Sequence, residues 1–429
     1  MPNSVTTSRE QVVVTKRSLP HRVDPTPFSR RETFPWMACA LVLWLFVLVL
    51  LTGSYFLTPG MRNITGVYHD ASSAWLSGNN LYHGYRIFNY SPQFAILFAP
   101  FHLVGPFVGD LLWRWVSLGL LVGGWWRLAK LLNRQHAAKI FFWSSLFALA
   151  ACGDAIRNGQ ANVILSAFLL WSTCFLIERR WWSAAGSLAL GLTKPLGVVM
   201  FALAPFGFPS LVLPLVAALG TFTLIPFAFH PPDYVFDQFF KFLDQLVYCS
   251  TVTTTILGLV DHRFADINGL LRLHSLKTEI PVAWSLWIRL SAGALVLGVW
   301  WRYSRRLDSP VKEMFLLSLA TVYVMLFNPM NEVNTYVLLA PVCGLFAGYL
   351  YEVQGLRRAA CLVYAIVGSI GILPELVRRI SKTFALWWDP LMAMVFLAVV
   401  LWLIGKLHSQ RPQQHLAHRP APVATEAIG

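Results

Sequence analysis

The chain has 429 residues, of which 56% are hydrophobic and only 13% are charged. No water-soluble domain of this length carries such a balance, so we expect an integral membrane protein surrounded by the lipid bilayer. The formal net charge of +14 could suit nucleic acid, but the basic residues are spread over the two tails and short connections. That distribution excludes a nucleic-acid binding patch.

The first apolar run follows a tail, residues 1–35, that is rich in proline and arginine. A cleavable signal peptide would instead begin with a short basic region, so Met37 to Leu57 is predicted to be a retained first span. The basic tail predicts a cytoplasmic N-terminus. Further basic clusters, all expected in the cytoplasm, are Arg127, Lys130, Arg134 and Lys139; Arg179 and Arg180; Arg302, Arg305, Arg306 and Lys312; Arg357 and Arg358; Lys406 and Arg411.

Apolar runs continue to Lys406, and an even number of crossings must separate clusters that lie on the same side. The sequence therefore predicts an all-α polytopic membrane protein with roughly 10 to 12 membrane segments. We expect residues 36–406 to form the membrane domain, 407–429 a disordered cytoplasmic tail, and 58–91 and 231–280 two external loops. Arg378, Arg379 and Lys382 would then lie outside, against the charge rule.

The first external loop contains a stretch, Val67 to Leu76, that mixes aromatic and small residues as an interfacial helix does. Asp70 is the only carboxylate in this loop. The functional interpretation is a sugar-binding rim with Asp70 as general base, to which Tyr68, Tyr82 and Tyr90 contribute. The alternative is a solvated aspartate beside an ordinary interfacial belt of tyrosines.

Three further segments carry polar residues where apolar spans meet. In CGDAIRNGQAN, Asp154 and Arg157 lie one helical turn apart, so they could simply compensate each other's charge. The dense series of Asn158, Gln160 and Asn162 favours a polar site at the membrane surface.

Lys194 lies in GLTKPLG, deep within an apolar run, where an unpaired ammonium is costly. Pro195 breaks the helix beside it and frees backbone groups, so the run from Trp182 to Phe206 is predicted to dip into the membrane and return. Either Lys194 extends to the interface or it meets an anion, and the break favours a phosphate.

In FNPMNEVNTYVLLAP, Asn328, Asn331, Glu332 and Asn334 crowd the start of a span. Asparagine and proline alone would fit a turn with helix caps, but Glu332 adds a second candidate base. In the second external loop, Arg272 lies in an amphipathic stretch and is a candidate phosphate contact.

These segments together resemble family 87 of the glycosyltransferases, polytopic enzymes of the GT-C class that take sugars from polyprenyl phosphates. The matching pieces follow the family order over residues 63–342: GVYHDASSAWLSGNNLY, YSPQFAILFAPF, NGQANVILSAFLL, SLALGLTKPLG, INGLLRL and NPMNEVNTYVLLAP. The resemblance implies an inverting transferase, commonly for mannose, with its catalytic aspartate in the first external loop.

The chain departs from the family pattern at two places. The family usually has its aspartate several residues before the Val-Tyr pair, where this chain has Asn63 and Ile64, so Asp70 would be a displaced substitute. Many members carry histidines near NEVNTY, where this chain has Asn331 and Asn334. These departures indicate a divergent member.

We therefore predict an inverting glycosyltransferase of the cell (inner) membrane that moves a hexose from a polyprenyl-phosphate donor to a glycolipid or glycan acceptor on the extracytoplasmic side. Asp70 is the predicted base, with Glu332 or Asp154 in reserve, and Lys194, Arg157 and Arg272 surround the phosphate. The sequence has no DxD-like motif, no cluster of metal ligands and no cysteines at metal-binding spacing, so we expect neither a metal nor another cofactor. The alternatives are a transporter or flippase for a lipid-linked or anionic solute, and a scaffold that has lost catalysis.

Overall fold

The structure is a computed structural model, described here for residues 30–58, 63–82, 88–252, 264–267, 270, 282–329, 331–377, 380–381 and 384–417. Within these residues the regular secondary structure is entirely helical, which confirms the predicted all-α class. The α-helices are α1 Arg30–Leu57, α2 Thr65–Leu76, α3 Pro92–Leu103, α4 Pro106–Leu132, α5 Ala137–Arg157, α6 Ala161–Ile177, α7 Trp181–Leu190, α8 Val198–Gly207, α9 Val212–Leu224, α10 Pro232–Val252, α11 Val282–Ser304, α12 Val311–Phe327, α13 Ala340–Glu352, α14 Arg357–Val377 and α15 Phe384–Ala417.

Seven helical segments of the described chain are long and apolar enough to cross a membrane, which makes this a multi-pass membrane protein. They are Pro35–Leu57, Pro106–Leu132, Ala137–Arg157, Pro209–Ala228, Val333–Glu352, Arg357–Val377 and Phe384–Lys406. The segment Val333–Glu352 lies at the centre of the bundle, since 83% of its apolar window is buried. The first segment lies at the periphery and exposes most of its surface to the surroundings.

Polar contacts gather at two opposite ends of this bundle. At the first, the Arg127 end, the guanidinium of Arg127 donates hydrogen bonds of 3.0 and 2.5 Å to Glu178, which joins the last turn of α4 to the end of α6. Lys312, in the first turn of α12, donates to the backbone oxygen of Gly207 at 2.6 Å and so fixes the end of α8 there. Three of the predicted cytoplasmic clusters are thereby found at one end.

The second end, the Lys194 end, collects several of the polar segments that contain the predicted site residues. The backbone N–H of Ile64 donates to Asn158 at 3.2 Å, and that of Ser91 donates to Thr193 at 3.0 Å. These contacts bring the first loop, the turn between α5 and α6, and the break after α7 together. Which end faces the cytoplasm stays a prediction, as do the domain boundaries.

The predicted interruption at Lys194 and Pro195 is confirmed. Helix α7 ends at Leu190, two short 3-10 turns, Gly191–Thr193 and Pro195–Gly197, follow, and α8 returns to the Arg127 end. Lys194 itself has an extended backbone between the two turns, with φ −126° and ψ 140°. Proline at position 195 has no N–H for a continuing helix, so the chain reverses where the lysine is.

Candidate active site

Lys194 is held at the Lys194 end by two side chains from different segments. Its ammonium donates a 2.8 Å hydrogen bond to Oδ1 of Asn162, in the first turn of α6, and lies 5.3 Å from the centre of the Tyr90 ring, within cation–π range. An ammonium has three N–H donors, and among the described residues only Asn162 accepts one of them. The arrangement leaves donors for an anionic ligand.

Tyr68 and Tyr90 form the wall next to Lys194. Their hydroxyl oxygens lie 3.0 Å apart, and the backbone N–H of Ala161 donates to the Tyr68 hydroxyl at 3.0 Å. The Tyr68 ring is buried among Phe94, Phe98 and Trp113, and the Tyr90 ring is buried against Phe94. Burial raises the pKa of Tyr68 to about 12 and that of Tyr90 well above its ordinary value. Both phenols therefore stay protonated at neutral pH and act as hydrogen-bonding groups, not as bases.

Glu332 completes this cluster from the turn between α12 and α13. Burial lowers the pKa of Lys194 to about 8, and attraction to the Glu332 carboxylate opposes that shift. The same carboxylate raises the pKa of Tyr68 and of Tyr90. Glu332 is partly exposed, and it forms no ion pair with Lys194. The two charges thus attract each other without direct contact.

Asp70 occupies a different surface of α2. Successive residues of a helix point about 100° apart, so Tyr68 faces the cluster while Asp70 does not. The Asp70 side chain is exposed. Its charge acts on His102: burial lowers the pKa of His102, and attraction to Asp70 opposes that shift. Asp70 is not among the groups that act on Lys194. The role of Asp70 as base remains a prediction. Its position on the exposed side of α2 does not support that role.

The turn that carries Asp154 and Arg157 has a mainly structural position. Asp154 is exposed, while the backbone oxygen of Arg157 accepts a hydrogen bond from Arg114 at 3.3 Å. Gln160 is buried just before the first residue of α6, and Oδ1 of Asn158 is buried without a hydrogen-bond partner among the described residues. Of this segment, Asn162 alone contacts Lys194.

The remaining predicted residues fall into four situations. Asn331 is fully buried and donates from Nδ2 to the backbone oxygens of Val324 and Met325, so it caps the last turn of α12. Asn334 is partly exposed in the 3-10 turn after Glu332. Tyr82 donates from its hydroxyl to the backbone oxygen of Tyr90 at 2.8 Å and supports that loop. Arg272 lies outside the described residues.

A second polar group, which the sequence analysis missed, lies beside the cluster and centres on Asp110. Its carboxylate accepts hydrogen bonds from Nδ2 of Asn63 at 2.7 Å and from the Tyr55 hydroxyl at 3.2 Å, and it lies 3.0 Å from Nε2 of His69. Arg114 donates to Oδ1 of Asn63 at 2.9 Å and lies 3.8 Å from the Asp110 carboxylate. An acidic and a basic residue one turn apart inside an apolar span could have revealed this network.

This network fixes the turn that leads to Asn162. Besides the bond of Arg114 to Arg157, the indole of Trp113 donates to the backbone oxygen of Gly159 at 2.9 Å. Oδ1 of Asn63 also accepts from the backbone N–H of Thr65 at 3.1 Å, at the start of α2. Helices α2, α4, α5 and α6 are therefore tied together beneath the tyrosines and Lys194.

Among the residues that join these helices, Gly159 is the most sensitive to substitution. Its φ is +67°, and a Cβ there would lie 2.9 Å from Cγ2 of Thr65 and 3.1 Å from Cζ of Arg114. Gly159→Ala should therefore lower the free energy of unfolding by about 1–2 kcal/mol through backbone strain alone, with the clash adding to it. Thermal unfolding in detergent measures the loss. Gly153→Ala is the matched control, because Gly153 lies in α5 and a Cβ added there would meet nothing within 4 Å. Equal melting temperatures of the two variants would contradict the prediction.

Residues 88–329 match the family model described as Glycosyltransferase family 87. The chain belongs to this family. No curated protein and no solved structure matches it. The part of the chain that matches family 87 includes Tyr90, Asn162 and Lys194. It begins after Asp70 and ends shortly before Glu332. Membership makes the protein a glycosyltransferase, which decides against a transporter or flippase as its main activity.

Proposed function

We propose that this family 87 glycosyltransferase transfers a hexose, with mannose the first candidate, from a polyprenyl-phosphate donor to an acceptor hydroxyl, with inversion at the anomeric carbon. The acceptor is a glycolipid or a glycan on the extracytoplasmic side of the cell membrane. The observation that carries the proposal is Lys194, a partly buried cation in the helix break whose ammonium has one acceptor, Asn162, among the described residues, and on whose charge the Glu332 carboxylate acts.

Lys194 suits the phosphate of the donor. A lipid phosphate is an anion that reaches the site from the bilayer, and a lysine ammonium binds it as a point charge. When the bond between the anomeric carbon and the phosphate oxygen breaks, the electron pair leaves with the phosphate, and its new charge develops next to the ammonium. Phosphate is a good leaving group, so the reaction requires no general acid.

Glu332 is our candidate for the general base, because its carboxylate is the one that acts on the charge of Lys194. The acceptor oxygen forms the new bond to the anomeric carbon, and the carboxylate takes the proton which that oxygen loses. The charge of Glu332 acts on Lys194, Tyr68 and Tyr90, so we place the sugar between these groups, with its anomeric carbon between leaving group and base. Asp70 and Asp154 remain the alternatives, and Arg157 and Arg272 remain candidate phosphate contacts.

The tyrosines and amides provide the sugar contacts in this proposal. Tyr68 and Tyr90 offer hydroxyl groups and ring faces, which bind the polar edges and the C–H faces of a hexose. Asn334 lies two residues after Glu332 and is partly exposed. Asn331 belongs to the cap of α12, so its contribution is to hold Glu332 in place.

Transfer by the purified protein tests this function directly. The protein in detergent receives polyprenyl-phosphate mannose, polyprenyl-phosphate glucose or a nucleotide sugar, each with a glycolipid extract as acceptor. We expect labelled product and free polyprenyl phosphate only from a lipid donor, with or without EDTA. Transfer from the nucleotide sugar and none from either lipid donor would overturn the proposal.

The sidedness of the site is tested separately. With the Lys194 end outside, a cysteine that replaces Asn79, which is exposed after α2, should react with a membrane-impermeant thiol reagent added to intact cells. A cysteine that replaces Arg305, at the Arg127 end, should react only after permeabilisation. Labelling of the Arg305 position in intact cells would reverse the predicted topology.

A further inference from the structure

Helix α10 has three distinct faces. Its charged residues recur along one face, its exposed apolar residues along a second, and its buried residues along a third. The charged residues are Asp233, Asp237, Lys241 and Asp244; the exposed apolar residues are Phe236, Phe240, Leu243 and Val247; and the buried residues are Val235, Gln238, Gln245 and Cys249. At about 100° per residue, the four apolar residues fall within roughly 60° of one another, next to the charged face.

The buried face of α10 packs on the candidate active site. Oε1 of Gln238 accepts a 2.9 Å hydrogen bond from the backbone N–H of Leu81, and Nε2 of Gln245 donates to Oδ1 of Asn89. Sγ of Cys249 lies 3.3 Å from the same Asn89 oxygen, one residue before Tyr90, whose ring centre lies 5.3 Å from the Lys194 ammonium. The helix therefore covers the loop that carries Tyr90.

The exposed apolar face continues a surface that already faces lipid. The span Pro209–Ala228 leads into α10 and is mostly exposed along its length. Phe227 at its end meets Phe236 with the ring centres 5.3 Å apart, and Phe229 beside it is exposed. The apolar surface of the span thus runs without a break onto Phe236 and Phe240.

We infer that α10 lies in the plane of the membrane at the Lys194 end, with the stripe of Phe236, Phe240, Leu243 and Val247 inserted in the hydrocarbon of that leaflet. A helix in this position needs one face toward protein, one toward acyl chains and one toward the headgroups and water, and α10 has all three in this order. Its charged face includes the pair of Lys241 and Asp237, at 2.5 Å, which suits the wet side.

This position makes α10 the boundary between the bilayer and the site. Cys249 and Gln245 lie over the loop next to Lys194, while the apolar stripe of the same helix is in the lipid. A lipid-linked donor could then keep its hydrocarbon in the leaflet along the stripe while its phosphate reaches Lys194. This consequence rests on the proposed function, whereas the insertion of α10 does not.

Spin labels at single cysteines of the full chain in lipid vesicles test the insertion. The exposed Cys39 and Cys361 are first replaced with serine, and a label is then placed at Phe240 or at Asp237. Collisions with oxygen, which concentrates in lipid, should dominate for Phe240→Cys, and collisions with a water-soluble nickel complex should dominate for Asp237→Cys. Water exposure of the Phe240 label would overturn the inference. Protection from both reagents would also overturn it, because the stripe would then be covered by another protein or a second copy.

The consequence for the donor is tested with Phe236→Ser combined with Phe240→Ser. We expect KM for a long polyprenyl-phosphate donor to rise by roughly an order of magnitude, with KM for a short, detergent-soluble prenyl donor unchanged. Equal effects on both donors would overturn delivery along α10. If the unsubstituted protein is inactive with both donors, the proposed function is refuted, but the spin-label result still stands.

Discussion

Glu332→Gln is expected to reduce transfer by ~100-fold or more while donor binding survives. The substitution keeps the size and the hydrogen-bonding groups of the side chain but removes the basicity that takes the acceptor proton. Single-turnover transfer and equilibrium donor binding measure the two quantities separately. Because Glu332 is partly exposed and the carboxylate makes no ion pair with Lys194, the fold should tolerate the change.

Asp70→Asn is the matched control, because it makes the same chemical change on the exposed side of α2. We expect it to retain most of the activity. The opposite pair of results, an active Glu332→Gln and an inactive Asp70→Asn, would return the base to the first external loop. Full activity of both variants would exclude both carboxylates.

Lys194→Met is expected to weaken donor binding by roughly tenfold to a hundredfold, since hydrogen bonds to a charged group are worth about 1.5–3 kcal/mol. Methionine has a similar length and suits the apolar surroundings, so the protein should still insert and fold. Lys241→Met is the control, because Lys241 is a half-exposed lysine on α10 paired with Asp237. Normal donor binding by Lys194→Met would show that the site must be sought elsewhere.

The pH dependence of donor binding gives the same residue a second test. The protonated ammonium is the form that binds phosphate, and the pKa of Lys194 is lowered to about 8. Affinity of the free enzyme should therefore be constant well below pH 8 and fall as the pH rises through that value. Lys194→Arg should move this fall to higher pH, because a guanidinium stays charged. An unchanged profile in the arginine variant would assign the titration to another group.

The sequence predicted the elements that follow from helical periodicity and from proline. Helix α2 and the break at Lys194 were both expected close to their observed places. The sequence did not predict the contact between Asn162 and Lys194. Charge clustering indicates on which side of the membrane a connection lies, but not which residues it contacts.

The sequence could not show which face of α2 turns inward. Tyr68 and Asp70 are two residues apart, so a rotation of the helix decides which of them meets the site, and packing against Phe94 and Trp113 fixes that rotation. The cap formed by Asn331 is a local contact by contrast, and it agrees with the turn and helix caps that the asparagines and proline of this segment suggested. Asp110 and Arg114 were overlooked because their span is otherwise apolar, although buried charges inside a membrane are the ones that most require an explanation.

The break at Lys194 also sets a depth. Ten residues of α7 and three of the following 3-10 turn cover about 21 Å at 1.5 and 2.0 Å per residue. The hydrocarbon core is ~30 Å thick, so with Trp181 at one boundary Lys194 lies well short of the other. The sugar would then be handed over below the headgroups. An acceptor anchored in the same leaflet can meet it there by lateral diffusion, whereas the end of a bulky soluble glycan would first have to thread into the membrane.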